Sequence, residues 1–161
     1  MAMTRVEASV EVNAPVAEVF AYASDWRRWE EWWQGVSDFR PTTVVTRGNG
    51  TRYAYKAWIA GIKMNLETEI HDFVENVGWK GAVTKGPPHR TEWVFEDNGE
   101  TTRLTYILEY ALPVPWLGPL LDSLLMRPGW QRMLEKSLNN LKSRFEGPGR
   151  TEPVEGKPAG A

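Results

Sequence analysis

A chain of 161 residues, 42% hydrophobic and 25% charged, is long enough for one folded domain with a proper core. The net charge of −2 argues against nucleic acid as a partner, because no positive field would attract a polyanion. The lack of cysteine excludes disulfides, thiolate nucleophiles and cysteine-based metal sites, and it suits a reducing compartment.

The sequence also lacks a stretch suited to a membrane. The first residues carry no apolar run of the kind that a signal peptide needs. The longest apolar-rich region, 112–126, is interrupted by three prolines and an aspartate, so it is unsuited to crossing a bilayer. We therefore expect a cytoplasmic protein without integral membrane contact.

The N-terminal part predicts one strand and two short helices. Residues 5–12 alternate between apolar and polar side chains, which is typical of a half-buried strand. Asn13 is the expected N-cap of the first helix, with Pro15 in its first turn. Ser24-Asp25 then caps a second helix over 26–34.

Six β-rich runs joined by short turns follow, with no room for crossover helices. This arrangement predicts an antiparallel meander. The predicted strands are Phe39–Arg47, Thr51–Ile59, Ile62–His71, Val77–Thr84, His89–Glu96 and Thr101–Ala111.

A long helix is predicted to begin between Gly118 and Met126 and to end near Glu146. Leucines 134, 138 and 141 form one apolar face with Phe145. Pro128-Gly129 predicts a kink or a break, which would separate 120–126 from the main helix. Beyond it, 147–161 consists mainly of glycine, proline and isolated charges, so we expect a domain over 1–146 and a disordered tail over 147–161.

Three segments resemble a known superfamily. They are VEVNAPVAEVF over 10–20, followed by Asp25-Trp26 and Trp29; GETTRLT over 99–105; and LNNLKSRFE over 138–146. Over roughly residues 4 to 146 the chain resembles the START-like (SRPBCC, helix-grip) superfamily, in particular its bacterial polyketide cyclase/dehydrase group.

The resemblance implies an α+β helix-grip fold. In that fold a seven-stranded curved antiparallel sheet wraps around a long C-terminal helix, two short helices lie between strands 1 and 2, and a cavity separates sheet from helix. The resemblance implies no universal catalytic residue, because the superfamily looks mostly like carriers and binders with scattered enzymes.

Alternation along the strands indicates which side chains face this cavity, since charged residues mark the opposite face. The inner face is rich in Tyr and Trp, which either fill the core or line a ligand pocket. Trp58 conflicts with this pattern, so a bulge or an exposed indole is expected there. The predicted cavity residues are Trp29, Trp33, Tyr53, Tyr55, Met64, Leu66, Trp79, Trp93, Phe95, Tyr106, Leu108, Tyr110, Leu121, Leu125, Trp130, Met133 and Leu134.

Candidate catalytic groups are Tyr53, Tyr55, Tyr106 and His89, each able to donate or accept a proton. His89 either points inward or is a loop-edge histidine after two prolines, and the second case is the more frequent for a single histidine. His71 is predicted to be on the surface. We expect no metal and no cofactor, because neither histidine has a ligand partner at helical spacing and no phosphate loop is present.

The main hypothesis is binding or transport of a small hydrophobic or aromatic molecule, lipid-like or polyketide-like, by a monomer or homodimer. One alternative is an enzyme similar to polyketide cyclases and aromatases. The other is a protein-interaction module of the same fold with a solid core. A cavity on the order of several hundred Å³ would separate the last from the first two. The apolar cluster over 116–126 is expected to close the pocket, with a membrane or subunit contact as the other possibilities.

Overall fold

A computed structural model describes residues 3–59, 61–111, 124 and 126–146. Within these ranges the chain forms seven strands, three α-helices and a short 3₁₀ helix over Trp26–Arg28. The helices are α1 (Val16–Ala23), α2 (Trp29–Trp32) and α3 (Arg127–Glu146). The strands are β1 (Thr4–Val12), β2 (Val36–Pro41), β3 (Arg52–Ile59), β4 (Ile62–Val74), β5 (Gly78–Lys85), β6 (His89–Asp97) and β7 (Thr102–Tyr110).

The seven strands form one antiparallel sheet in the order β1-β7-β6-β5-β4-β3-β2. Strands β2 to β7 form a meander, and β1 pairs with the last strand, β7, which brings the two ends of the domain together. In that pairing Val6 faces Leu108 and Val10 faces Leu104, so apolar residues of both strands share the inner face. The predicted helix-grip architecture is confirmed.

Helix α3 lies against the sheet through the apolar stripe that the sequence predicts. Leu134, Leu138 and Leu141 are buried, while Phe145 is half-buried and meets the ring of Tyr22 edge to face. The helix begins at Arg127, so Pro128 and Gly129 occupy its first turn, where a proline requires no hydrogen-bond partner. The expected separate piece over 120–126 lies mostly outside the described residues, as does the expected tail over 147–161.

The first helix is not capped as expected. Its N-cap position is Pro15, which makes no side-chain capping bond, so the prediction of Asn13 as N-cap is wrong. The backbone N–H of Asn13 instead donates to the Glu146 carboxylate at the end of α3, 2.8 Å away. That bond ties the start of α1 to the last turn of the long helix.

The second predicted helix, 26–34, is shorter and less regular than its sequence suggests. Asp25 does cap it, because its carboxylate accepts from the backbone N–H of Arg27. The chain then forms one 3₁₀ turn and a single α-helical turn that ends at Trp32, and Trp33 already has extended backbone angles. Packing of the four tryptophans in this segment overrides the helical pattern.

Strand β2 lies at 36–41 rather than at 39–47. It ends at Pro41, which cannot donate a hydrogen bond to a ladder. The register with β3 shifts between Ser37 and Arg40, where Asp38 adopts a φ of +59°. The following residues form a loop that turns at Gly48 and Gly50, both at φ +87°.

Trp58 is 60% exposed on the outer face of β3, which resolves its conflict with the alternation pattern as an exposed indole. Among the described residues, no helix combines the length and the apolar character needed to cross a membrane.

Candidate functional site

Two adjoining cavities lie on the concave side of the sheet. The first, the inner cavity, measures about 30 Å³ and lies between the sheet and the start of α3. The second, the aromatic cavity, also measures about 30 Å³ and lies between α2 and the sheet. Both cavities are lined by Trp33, Tyr55, Thr91 and Tyr106, so they are neighbours, and we call the two together the interior space.

Each cavity has room for about two water molecules. The interior is therefore neither solid nor as large as the several hundred Å³ expected for an open pocket. The inner cavity is bordered by three methionines, Met64, Met126 and Met133, whose unbranched side chains change rotamer readily. A ligand of ordinary size would enter only by displacing such side chains.

Three polar side chains meet where the two cavities adjoin: His89 borders the inner cavity, Thr68 the aromatic cavity, and Tyr55 both. The Tyr55 hydroxyl lies 3.1 Å from Thr68 Oγ1 and 3.4 Å from His89 Nε2. Thr68 Oγ1 lies 3.3 Å from the same His89 nitrogen. These residues come from strands β3, β4 and β6, so the sheet itself fixes the cluster. We call these three residues the polar cluster.

The contact made by the second ring nitrogen of His89 determines which of the two nitrogens carries the hydrogen. His89 Nδ1 lies 2.9 Å from the Pro87 carbonyl oxygen, which only accepts, so Nδ1 carries the hydrogen. Nε2 of the neutral ring is then an acceptor directed at the hydroxyls of Tyr55 and Thr68. Burial lowers the pKa of His89 below its ordinary value, and the Pro87 carbonyl opposes this in part. At neutral pH the site thus presents an uncharged base.

The tyrosines near His89 are neutral donors. Burial raises the pKa of Tyr55 to about 12, although the bond to Thr68 lowers it in part. Burial also raises the pKa of Tyr106, as does the nearby Tyr55. Neither phenol ionises near neutral pH, so the cavity combines hydroxyl donors with one imidazole acceptor.

A glycine allows the polar cluster to form. Gly81 on β5 faces inward between the threonines of the neighbouring strands. A Cβ at this position would lie 2.6 Å from Thr91 Oγ1 and 2.7 Å from Thr68 Cγ2, both closer than carbon normally approaches. The missing side chain thereby gives Thr68 its position beside His89.

The aromatic cavity has walls of interlocking rings. Trp93 stacks on Trp79 at 5.3 Å and lies 4.4 Å from the ring of Tyr106. Trp33 meets both Trp93 and Tyr106 edge to face. These rings offer a flat molecule apolar faces from several strands.

Comparison of the sequence with known protein families identifies the family of this chain. Residues 3–146 match the family model described as "Polyketide cyclase / dehydrase and lipid transport". The chain belongs to this family. Because the match begins before β1 and ends with α3, it includes every residue of the polar cluster.

Solved structures show the same fold. The protein TTHA0849 from Thermus thermophilus is 26% identical, with a TM-score of 0.76 over 88% of this chain and 97% of that one. A START superfamily protein from Mycobacterium smegmatis is 20% identical, with a TM-score of 0.64 over 93% and 98%. The di-domain ARO/CYC protein BexL, from the BE-7585A biosynthetic pathway, is 15% identical, with a TM-score of 0.69 over 90% of this chain and 50% of BexL. The comparison with curated proteins gives no match.

Most of the cavity residues expected from the sequence border the interior space of this family member. Those at the inner cavity are Trp33, Tyr55, Met64, Leu66, Tyr106, Leu108, Tyr110, Trp130 and Met133. Those at the aromatic cavity include Trp29, Tyr53, Trp79 and Trp93. Phe95 and Leu134 are buried but border neither cavity, and Phe95 packs on Phe20 and Trp79 instead. Leu121 and Leu125 lie outside the described residues.

The four candidate catalytic residues fall into two groups. Tyr55, Tyr106 and His89 border the inner cavity. The hydroxyl of Tyr53 instead donates to the Thr46 carbonyl oxygen at 2.9 Å, in the loop after β2. His89 is 8% exposed, so it is an inward histidine and not the loop-edge residue that its position after two prolines favours. His71 is exposed, as expected.

Several lining residues were missed by sequence reasoning. Val36 was missed because β2 was placed three residues too late, and Pro87 and Pro88 because they were assigned to a turn. Thr91 shares the inward side of β6 with Trp93, a signal that was available in the alternation. Within the described ranges, no group of three His, Asp or Glu side chains is placed to hold a metal ion.

Proposed function

We propose that this protein binds a small, hydrophobic, ring-containing molecule in the space between its sheet and α3. The observation that carries the proposal is the polar cluster, an acceptor and two hydroxyls set into a wall that is otherwise aromatic and aliphatic. Apolar walls with a few convergent polar groups are the usual makeup of small-molecule sites. Membership of a family whose description includes lipid transport supports the same function.

The polar cluster would orient the ligand, whereas the aromatic rings would supply most of the affinity. A ligand hydroxyl in place of the Thr68 contact would donate to His89 Nε2 and accept from the Tyr55 hydroxyl. A ligand burying on the order of 300 Å² of apolar surface gains roughly 7 kcal/mol before the costs of ordering, which allows micromolar binding. Moving the methionines offsets part of that gain.

Binding is tested with two ligands that differ in one polar group. Calorimetry should show binding of both 2-naphthol and 2-methylnaphthalene, with 2-naphthol the tighter. Tyr55→Phe and His89→Leu should each lower the affinity for 2-naphthol about fivefold, which is the contribution of one hydrogen bond. The affinity for 2-methylnaphthalene should not change.

Matched controls are available for both substitutions. Tyr22→Phe removes a hydroxyl that bonds Glu31 at the surface, and His71→Leu removes an exposed histidine, so neither should alter binding. Absence of binding by either ligand up to its solubility limit would refute the proposed function.

A second function, catalysis of polyketide cyclisation, is favoured by the protonation state of His89. A neutral imidazole acceptor beside phenol donors suits removal of a proton next to a ligand carbonyl, with the tyrosines hydrogen-bonding the enolate oxygen. With a poly-β-ketone thioester analogue, His89→Leu should then abolish the ring-closed product while binding persists. Equal product from wild type and variant would exclude this role.

A further inference from the structure

A groove of about 350 Å³ opens on the surface, away from the residues that line the inner cavity. One of its walls is the turn after α1, which carries Ser24, Asp25 and Arg27. The other is the loop after β2, which carries Thr46 and Arg47. Neither wall contains a residue of the polar cluster.

This groove adjoins the interior space. A narrow gap of about 10 Å³ shares Ser24 and Arg47 with the groove, and it shares Trp29, Tyr53 and Trp79 with the aromatic cavity. The groove, the gap, the aromatic cavity and the inner cavity thus lie in a row from the surface to His89, each sharing lining residues with the next. The gap is too narrow for more than about one water molecule.

Arg47 stands at the constriction. Its guanidinium lies 5.0 Å from the ring centre of Phe73 and 6.0 Å from that of Phe20. It also makes two hydrogen bonds to Glu75, at 3.0 and 3.1 Å, and both side chains are half-exposed. The pair is bidentate but uses only two of the five guanidinium N–H donors, so the remaining donors of Arg47 can bind a second anion.

Ser24 provides an independent sign of a ligand. It is 8% exposed, and its hydroxyl has no hydrogen-bond partner among the described residues. A buried hydroxyl without a partner is costly, and an acceptor in the gap would satisfy it. The remaining charges of the groove cancel, because Arg27 holds both carboxylate oxygens of Asp25 at 2.9 and 3.1 Å. Ser24 and Arg47 are the residues that line both the groove and the gap, and each carries a hydrogen-bond donor.

We propose that the groove, which we call the second mouth, opens the ligand space on the side away from the inner cavity and binds the anionic end, a carboxylate or sulfonate, of a ligand whose rings lie in the aromatic cavity. This inference rests on the proposed function and narrows its ligand to amphipathic aromatic acids. Arg47 forms the charged contact and Ser24 donates the second hydrogen bond.

Two fluorescent dyes with the same aromatic body test the inference. 1-Anilinonaphthalene-8-sulfonate carries a sulfonate, and N-phenyl-1-naphthylamine lacks it. Arg47→Met keeps an apolar stem over the phenylalanine rings. It should lower the affinity for the sulfonated dye about tenfold, which is the contribution of a charge-assisted contact. The neutral dye should bind unchanged, and Arg47→Lys should retain part of the sulfonate affinity.

Two further variants separate this role from a structural one. Ser24→Ala should weaken binding of the sulfonated dye only, without lowering the melting temperature, because the Ser24 hydroxyl makes no hydrogen bond to the described residues. Arg90→Met removes another exposed, ion-paired arginine at a groove of similar size, about 340 Å³, and should alter neither dye. Near-UV circular dichroism confirms that each variant is folded.

The outcomes distinguish the two proposals. If the neutral dye binds and Arg47→Met weakens both dyes equally, or neither, the second mouth is refuted and the interior site stands. If Arg90→Met weakens the sulfonated dye as much as Arg47→Met does, the sulfonate is bound by surface charge alone and the second mouth is likewise refuted. If neither dye binds to the wild-type protein, both proposals fail.

Discussion

His89 is uncharged in the folded protein because its surroundings exclude water. Burial lowers its pKa below the 6.5 of a free histidine. In the unfolded chain it titrates near its ordinary value. Between the two values the unfolded state binds the extra proton, so the stability that depends on neutral His89 is complete above about pH 6.5 and falls as the pH drops towards the folded-state pKa.

Acid should therefore destabilise the wild-type protein more than a variant without this histidine. The free energy of unfolding, measured with urea at about pH 7.5 and about pH 5, should fall less in His89→Leu than in the wild type. An equal fall in the wild type and in His89→Leu would contradict this account, because it would show that His89 takes up a proton as readily in the folded state as in the unfolded state.

The depth of His89 illustrates what sequence can predict about single residues. Alternation along β6 gives its side, since it shares parity with the inward Trp93. Its burial depends on Tyr55 and Thr68, from strands distant in sequence, and no local pattern encodes these contacts. The same holds for Gly81, whose role appears only when Thr68 and Thr91 are brought together from two strands.

At the scale of elements, one serine joins α3 to the segment after α2. Ser137 Oγ donates to the Met133 carbonyl oxygen at 2.7 Å and accepts from the backbone N–H of Gln34 at 2.8 Å. Ser143, two turns later on the same helix, makes the first kind of bond, to Asn139, but is exposed.

Ser137→Ala should therefore destabilise the fold by about 1–3 kcal/mol, because it leaves the Gln34 N–H without its partner. Ser143→Ala is the matched control and should change stability by less than about 0.5 kcal/mol. Urea unfolding measures both free energies. Equal effects of the two substitutions would show that the link between Gln34 and Ser137 contributes nothing.

Regular elements were predicted well where one face is charged and the other apolar. Strands β3 to β7 fall within a few residues of their predicted limits because alternation survives antiparallel pairing. The predicted bounds of strand β2 and of the helix over the tryptophan-rich segment 26–34 were wrong. The conformations of both segments depend on the shifted register between β2 and β3 and on packing of Trp32 and Trp33 against Trp93, and these partners are distant in sequence.

For the whole molecule, the central feature is an interior that is nearly but not completely filled. Two cavities of about 30 Å³ adjoin along the concave face, and methionines border one of them. Family membership and fold are consistent with a hydrophobic ligand or with polyketide chemistry. The ligand-binding account requires these methionine side chains to move when a molecule enters.

Methionine methyl groups report this movement directly. Of the five methionines, Met64, Met126 and Met133 border the inner cavity, and Met3 precedes β1 at the edge of the sheet. Protein labelled with carbon-13 at the methionine methyls would be titrated with N-phenyl-1-naphthylamine, with assignments from single Met→Leu variants. The account predicts saturable shifts of the three cavity methyls and an unchanged Met3 signal. Unchanged cavity methyls at saturating dye would contradict it.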